Sequence, residues 1–239
     1  MDLLVENSNR NYYVKKTKFC ELLIIDSNEL KEYRCRGISV EIPPELQSML
    51  DAEHGPTKQK AARLVVDLAA SAGASEFTRC AHAHVSGVSV ITGGHGLRRF
   101  LSDLSGDPEG TVSIPTTLNS AGCDREQIEE MGIDHENFLE YQFEIIYAYS
   151  ELGIDATLSC TPYDRGVEME SGIGSWAESN AACYSNSYTS LMTNRESGLS
   201  ALATALTGWA PLWGLHIESN RIPNILVTVE ASMENLADW

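Results

Sequence analysis

The alternation of helical and strand-like segments along the chain is the strongest constraint on its fold. Several segments carry apolar residues at helical spacing, and short apolar runs between them favour strands. Helices are predicted over 45–50, 58–72, 97–104, 135–152 and 198–206, and strands over 81–92, 111–114, 154–158 and 212–217. This alternation predicts an α/β fold with a mostly parallel sheet, in which polar loops meet at the carboxyl ends of the strands.

Length and composition indicate a globular protein with an acidic surface. The 239 residues are 43% hydrophobic, which is enough to bury one sizeable core without disulfides. The formal net charge of −17 repels polyanions, so we expect no nucleic acid and no membrane as partner, although an anionic small molecule can bind at local cationic groups. No apolar run is long enough to span a membrane and no secretory pattern opens the chain, so the expected location is cytoplasmic.

Residues 1–40 differ from the rest of the chain and receive no functional assignment. They contain four of the six lysines and a single short apolar run, Leu22–Ile25. From Pro43 onward the helix and strand patterns begin. We therefore expect the main domain to comprise residues 41–239.

A cysteine at the end of a predicted strand is the first candidate for chemistry. Cys160 follows the apolar run 154–158, and Pro162 prevents that strand from continuing. Loops in this position commonly carry the active sites of α/β proteins. The alternative is a small buried hydrophobic residue, because the six cysteines of the chain include no CxxC pair.

Two further segments are candidates for ligand binding. His82 and His84 lie two apart on a predicted strand, where they can share a metal with a third ligand from elsewhere; the alternative is one satisfied and one solvated histidine. Gly87 has no Cβ and allows backbone amides to approach an anion. The loop 116–120 offers hydroxyls and an amide that suit a carboxylate or phosphate, although a polar loop without function is a fair alternative.

Residues from about 41 to 222 resemble the catalytic part of aconitase X, a family of dehydratases. Short motifs in a matching order carry the resemblance. They are Glu53-His54-Gly55-Pro56, His84-Val85-Ser86-Gly87-Val88-Ser89, Pro115-Thr116-Thr117-Leu118-Asn119, Cys160-Thr161-Pro162-Tyr163, Trp176-Ala177-Glu178-Ser179-Asn180, Thr193-Asn194-Arg195 and Gly214-Leu215-His216. Gly87-Val88-Ser89 followed by a Gly-Gly turn is more similar to the archaeal phosphomevalonate branch than to the bacterial hydroxyproline branch.

The resemblance implies an aconitase-like, layered α/β/α fold and a hydro-lyase activity. The expected reaction eliminates water from (R)-5-phosphomevalonate to give trans-anhydromevalonate 5-phosphate in an archaeal-type mevalonate pathway. The expected cofactor is an iron–sulfur cluster of the 4Fe-4S type, with Cys160 as one ligand and an open iron that acts as a Lewis acid. The implied substrate-binding residues are Gly87, Val88, Ser89, Asn119, Ser120, Glu178 and Ser179. The base is expected on a small swivelling subunit, so the resemblance implies no catalytic base in this chain.

The resemblance also implies that the chain is the N-terminal portion of a longer enzyme, with the sheet incomplete at its C-terminus. In the family, the part that follows carries two more cluster cysteines and a substrate-binding lysine. Activity is then expected only with that part and the small subunit. Two alternatives remain: a cis-3-hydroxy-L-proline dehydratase of the same family, and a binding or scaffold subunit without a cluster. Cys123, close to Asn119 in sequence, is a further candidate ligand that the family pattern does not require.

Overall fold

The computed structural model describes residues 4–7, 10–13, 33–35, 38–124, 127, 130–132, 137–226 and 228. The strands are β1 Leu4–Asn7, β2 Arg10–Tyr13, β3 Tyr33–Cys35, β4 Ile38–Val40, β5 Phe77–Arg79, β6 His82–Val85, β7 Thr116–Leu118, β8 Gly172–Trp176, β9 Leu191–Arg195 and β10 Trp209–Pro211. The helices are α1 Pro44–Leu50, α2 Gly55–Ala72, α3 Val90–Ser105, α4 Phe138–Glu151, α5 Ser179–Ser187 and α6 Gly198–Thr207, with short 3-10 turns at Pro162–Arg165, Gly214–His216 and Glu218–Arg221.

A four-stranded parallel sheet organises the described part of the chain. Its strand order is β7-β6-β8-β9, and each neighbouring pair is parallel. The remaining strands form antiparallel pairs, β1 with β2, β3 with β4 and β5 with β10. The predicted α/β class with a mostly parallel sheet is therefore confirmed. Because parallel strands all end at one edge, the loops after β6, β7, β8 and β9 lie on the same side of the molecule.

Apolar side chains cover the two faces of this sheet unequally. Val85 and Leu118 are register partners and face a large core that includes buried residues of α2, α3, α4 and α6. His84 precedes Val85 on β6 and therefore points to the other face of the sheet, and its register partner Trp176 points the same way. On that face a smaller apolar cluster contains Trp176, Leu191 and residues of α5. The sheet thus lies between two layers, as the resemblance implied.

Four described helices, α1, α2, α4 and α6, formed where local signals predicted them, whereas α5 was not predicted and α3 begins at Val90, inside a segment predicted as a strand. In α2 the buried residues recur at helical spacing, and the helix ends at Gly73, which adopts a left-handed conformation with φ 72°. Helix α6 ends in the same way at Gly208. None of the helices in the described ranges is both long and apolar enough to cross a membrane.

All four predicted strands differ from the structure in position or type. Within 81–92 only His82–Val85 is a strand, because Ser89 caps helix α3 by accepting a hydrogen bond from the Ile91 amide. The strand predicted at 111–114 lies instead at Thr116–Leu118, beyond Pro115.

The other two corrections concern 154–158 and 212–217. The first contacts β7 through one parallel bridge, between Asp155 and Thr117, and Leu158 has a left-handed backbone with φ 47°, so the strand prediction there is wrong. The second contains a 3-10 turn, Gly214–His216. Strands β8 and β9 were not predicted. The apolar run Leu22–Ile25 and the first two residues of the helix predicted from 135 lie outside the described residues.

Candidate active site

The loops after three parallel strands carry every residue that the resemblance assigned to substrate binding. Gly87, Val88 and Ser89 follow β6, Asn119 and Ser120 follow β7, and Glu178 and Ser179 follow β8. The topology therefore brings these residues to the carboxyl edge of one sheet. Their contact with a substrate remains a prediction, and the hydrogen bonds between them define the geometry that a ligand would meet.

Asn119 links the three loops. Its backbone amide donates to the carbonyl of Val85 at 2.8 Å, and its Nδ2 donates to Glu178 Oε2 at 3.1 Å. Its Oδ1 accepts from the Ser120 amide at 2.8 Å. The Asn119 side chain is buried, and its bonds to Glu178 and Ser120 are partly shielded from water. Asn119 consequently fixes the loop after β7 against the end of β6 and against the loop after β8.

Glu178 is the N-cap of α5 and is held as a carboxylate. Its Oε1 accepts from the Ser179 hydroxyl at 3.1 Å and from the Asn180 amide at 3.4 Å. Burial raises the pKa of Glu178, but the hydrogen bonds from Asn180, Asn119 and Ser179 outweigh burial, and the pKa lies below the usual glutamate value. At neutral pH this side chain is an oriented hydrogen-bond acceptor and not a proton donor.

The loop after β6 combines an open backbone with two helix N-termini. Gly87 has φ +87° and no atom within 4 Å of the position that a Cβ would occupy. Ser89 begins α3, and α6 begins against Ser86, whose carbonyl oxygen would lie 2.3 Å from a Cβ at Gly198. The N-terminus of the continuous helix α6 carries partial positive charge, whereas α3 is interrupted after its first turn by the non-helical Gly94, so α6 and the open backbone at Gly87 are what suit this loop to an anionic group.

Sequence reasoning missed Gln142, a buried residue of α4 that contacts two of these loops. Its Nε2 donates to the Val88 carbonyl at 2.7 Å, and its Oε1 accepts from the amides of Val90 and Gly122 at 3.1 and 3.3 Å. A signal was present, because Gln142 is a polar residue on the face of the helix that also carries Phe138 and Ile145, both buried.

Cys160 lies beside the end of β7. The preceding residue, Ser159, donates its amide to the Leu118 carbonyl at 3.3 Å, which places the thiol-bearing segment next to Asn119 in the fold. Cys160 is half-buried, and so is Cys123 on the loop after β7. In the part of the chain that the structure describes, no three His, Cys, Asp or Glu side chains are grouped to hold a metal. The described residues alone therefore do not fit a complete cluster site.

His82 and His84 are both buried, so the prediction of one solvated histidine is wrong. Their rings pack at 5.4 Å from the Trp176 ring on the face opposite Val85. Burial lowers the pKa of each to about 4, so both are neutral at pH 7. His84 Nδ1 lies 2.8 Å from Thr117 Oγ1. A metal held by this pair would need a third ligand, and the described ranges contain no such group.

Comparison with known proteins agrees with the resemblance. The family model described as the aconitase X first domain matches residues 39–219. This chain belongs to the aconitase X family. The solved structure of Thermococcus kodakaraensis aconitase X, in its holo-form, superposes with a TM-score of 0.65 at 34% identity, covering 76% of this chain and 44% of that one. Both the family and the fold class inferred from the sequence are thereby confirmed.

Curated relatives of this aconitase X chain are dehydratases. The phosphomevalonate dehydratase large subunit of Methanosarcina mazei is 39% identical over 192 residues, which is 80% of this chain and 47% of the relative. The cis-3-hydroxy-L-proline dehydratase of Hypocrea jecorina is 34% identical over 197 residues, 80% of this chain and 32% of the relative. The chain thus spans about half the length of the first relative and a third of the second, and the shared names support a role within a hydro-lyase family.

Proposed function

We propose that this aconitase X chain forms the substrate-binding part of a hydro-lyase that converts (R)-5-phosphomevalonate to trans-anhydromevalonate 5-phosphate. The main support is the arrangement around Asn119, which joins an open, helix-flanked loop at Gly87 to the ionised carboxylate of Glu178. One end of this arrangement suits a phosphate and the other suits a hydroxyl. The identity to relatives named phosphomevalonate dehydratase points the same way.

In this proposal the chain binds and orients the substrate. The phosphate is bound by backbone amides of the loop from Gly87 to Ser89 and by the Ser89 hydroxyl, near the N-terminus of α3. Asn119 and Glu178 hold the polar groups at the other end of the substrate. Because Glu178 is ionised, it accepts a hydrogen bond from a substrate hydroxyl and helps to orient the leaving group.

The reaction breaks one C–H bond and one C–O bond and forms a C=C bond. The proton α to the carboxylate passes to a base, the hydroxyl leaves as hydroxide, and the two together account for the water released. We assign the base to a serine of a small swivelling subunit, as the resemblance implies. An iron–sulfur cluster, with Cys160 as one ligand, is part of the proposal; when bound it would supply a Lewis acid for the hydroxyl. The described residues do not complete that site, so no step here depends on it.

The proposed active unit is an assembly. Since the chain spans about half the length of the curated large subunits that it matches, we propose that turnover requires the complementing part of the large subunit and the small subunit. The proposed location is the cytoplasm.

A cis-3-hydroxy-L-proline dehydratase is the second candidate, supported by the 34% identity to the relative from Hypocrea jecorina. The two candidates differ in whether the substrate carries a phosphate. Calorimetric binding of 5-phosphomevalonate, mevalonate and cis-3-hydroxy-L-proline to the 239-residue chain separates them. We expect 5-phosphomevalonate to bind and mevalonate to bind at least about tenfold more weakly. Tighter binding of hydroxyproline would favour the second candidate.

Ser89→Ala tests the proposed phosphate contact. Removing its hydroxyl should weaken 5-phosphomevalonate binding and leave mevalonate binding unchanged. Ser71→Ala, at an exposed position of α2, is the matched control. Equal loss for both ligands would contradict the assignment of Ser89 to the phosphate.

A further inference from the structure

We propose that Gln142 is a positioning residue that fixes the two substrate loops relative to each other. The role of these loops in binding substrate rests on the proposed function; the role of Gln142 goes beyond it. Gln142 lies on α4, is 1% exposed and contacts both the loop after β6 and the loop after β7. Through them it determines where Ser89 and Asn119 stand.

The three hydrogen bonds of Gln142 require a side chain that donates and accepts at once. The Val88 carbonyl can only accept, and it receives Nε2. The amides of Val90 and Gly122 can only donate, and both meet Oε1. A carboxylate would oppose the Val88 carbonyl, and an aliphatic side chain would leave all three backbone groups buried without this partner. Glutamine is the uncharged residue long enough to satisfy them together.

The loop after β6 and the loop after β7 are in direct contact beside the Gln142 side chain. A Cβ at Gly122 would lie 2.1 Å from Ser89 Oγ and 3.0 Å from Gln142 Oε1. The backbone of the second loop therefore packs directly against the side chain of Ser89. From Gly122 this loop runs back to Asn119, which hydrogen-bonds Glu178. A continuous set of contacts thus extends from α4 to the carboxylate.

A merely structural glutamine and a positioning glutamine have different consequences. If Gln142 only stabilised the core, its loss would lower stability, and the fraction that stayed folded would bind substrate normally. If it positions the loops, the folded protein itself binds less well, because small displacements of binding groups weaken oriented contacts. Binding measured per folded molecule separates the two.

The test uses the 239-residue chain with three substitutions. Gln142→Met keeps the length but removes all three hydrogen bonds. Gln142→Glu keeps an oxygen that can accept from the Val90 and Gly122 amides. Thr57→Val is the matched control, since it removes a different buried hydrogen bond, from Thr57 Oγ1 to the Leu104 carbonyl at 2.9 Å. For each protein, amide exchange at Val90 and Gly122, 5-phosphomevalonate affinity and the folded fraction are measured.

We expect Gln142→Met to accelerate exchange at both amides by at least about tenfold and to weaken 5-phosphomevalonate binding per folded molecule by about tenfold or more. Gln142→Glu should also accelerate exchange, because its second oxygen opposes the buried Val88 carbonyl, whereas Thr57→Val should keep normal exchange and affinity.

Unchanged exchange in Gln142→Met, or faster exchange with unchanged 5-phosphomevalonate affinity per folded molecule, overturns the inference. A wild-type chain that does not bind 5-phosphomevalonate overturns the proposed function instead, and amide exchange in the free protein still decides whether Gln142 holds the loops.

Discussion

Asn119 Nδ2 lies 3.1 Å from Glu178 Oε2, and this bond joins loops that follow two different strands, β7 and β8, of the parallel sheet. The two residues are 59 positions apart in the sequence. Strand β6 lies between their strands, so the contact spans the end of a central strand. This relationship joins separate polar loops into one surface at the carboxyl edge of the sheet.

Asn119→Ala should raise the pKa of Glu178. The substitution removes a hydrogen bond that favours the ionised carboxylate, while burial, which opposes ionisation, remains. Because the folded pKa is below the unfolded value, Glu178 adds stability above the unfolded glutamate pKa, and that contribution is lost as pH falls through the folded value. Carbon-13 NMR titration of the carboxylate measures the change. Ser120→Ala is the control, since Ser120 bonds to Asn119 and has no recorded hydrogen bond to Glu178. An unchanged titration in Asn119→Ala would contradict the assignment.

The pair His82 and His84 should make the fold sensitive to acid. Burial lowers the pKa of each to about 4 in the folded chain, whereas an unfolded histidine titrates near ~6.5. Between these values the unfolded state binds more protons, so the free energy of unfolding should fall as pH decreases from about 6.5 to about 4.

His84→Gln removes one of the two histidines that take up a proton on unfolding. The dependence of the free energy of unfolding on pH should therefore become shallower by about 1.4 kcal/mol per pH unit. Urea unfolding at a series of pH values measures it. A slope that is the same in His84→Gln as in the wild type would show that His84 does not titrate on unfolding.

Gly122→Ala should impair substrate binding by displacing Ser89. The added methyl would lie 2.1 Å from Ser89 Oγ, so one of the two loops has to move. We expect at least tenfold weaker 5-phosphomevalonate binding, on the order that small misplacements cost. Gly96→Ala is the control: no atom lies within 4 Å of the added methyl, so 5-phosphomevalonate affinity should stay unchanged. Full affinity in Gly122→Ala would show that the loops do not need this close approach.

Lys58→Met should destabilise the fold without a direct effect on the site. The buried ammonium donates to the carbonyls of Thr111 and Leu206 and to Ser113 Oγ, and so joins α2 to the C-terminal end of α6. Methionine fills the space but leaves these acceptors without the donor, which should cost about 2–4 kcal/mol. Urea unfolding measures the loss, and Lys60→Met, at an exposed position, should change it by less than about 0.5 kcal/mol.

Local signals predicted α1, α2, α4 and α6, but neither α5 nor the start of α3. Helix α2 has a regular apolar face and a glycine stop at Gly73, and α6 has the same features with Gly208. The strands were harder to predict from local sequence. Strand β8, for example, reads Gly172-Ile173-Gly174-Ser175-Trp176 and lacks an apolar run. Its composition follows from packing: a Cβ at Gly174 would lie 2.7 Å from the Leu191 side chain. That contact joins distant parts of the chain and leaves no local pattern.

In the candidate site, too, residues within local motifs were predicted, and a residue that acts through distant contacts was not. Motifs brought Gly87, Asn119 and Glu178 to attention, and the topology of the sheet brings them to one edge. The sequence analysis did not identify Gln142, because its hydrogen-bond partners Val88 and Val90 lie 54 and 52 residues away in the sequence. A single polar residue within an apolar helix face signals a buried hydrogen bond, but the sequence does not show which loop receives it.

The most direct test of the account is product formation by the assembled enzyme. The chain is combined anaerobically with the complementing part of the large subunit and the small subunit, reconstituted with iron and sulfide, and given 5-phosphomevalonate. We predict formation of trans-anhydromevalonate 5-phosphate, its loss together with the cluster iron in Cys160→Ala, and its retention in Cys183→Ala, where the cysteine is exposed. Full iron content and full turnover in Cys160→Ala, or no turnover of 5-phosphomevalonate by the wild-type assembly, would contradict the account.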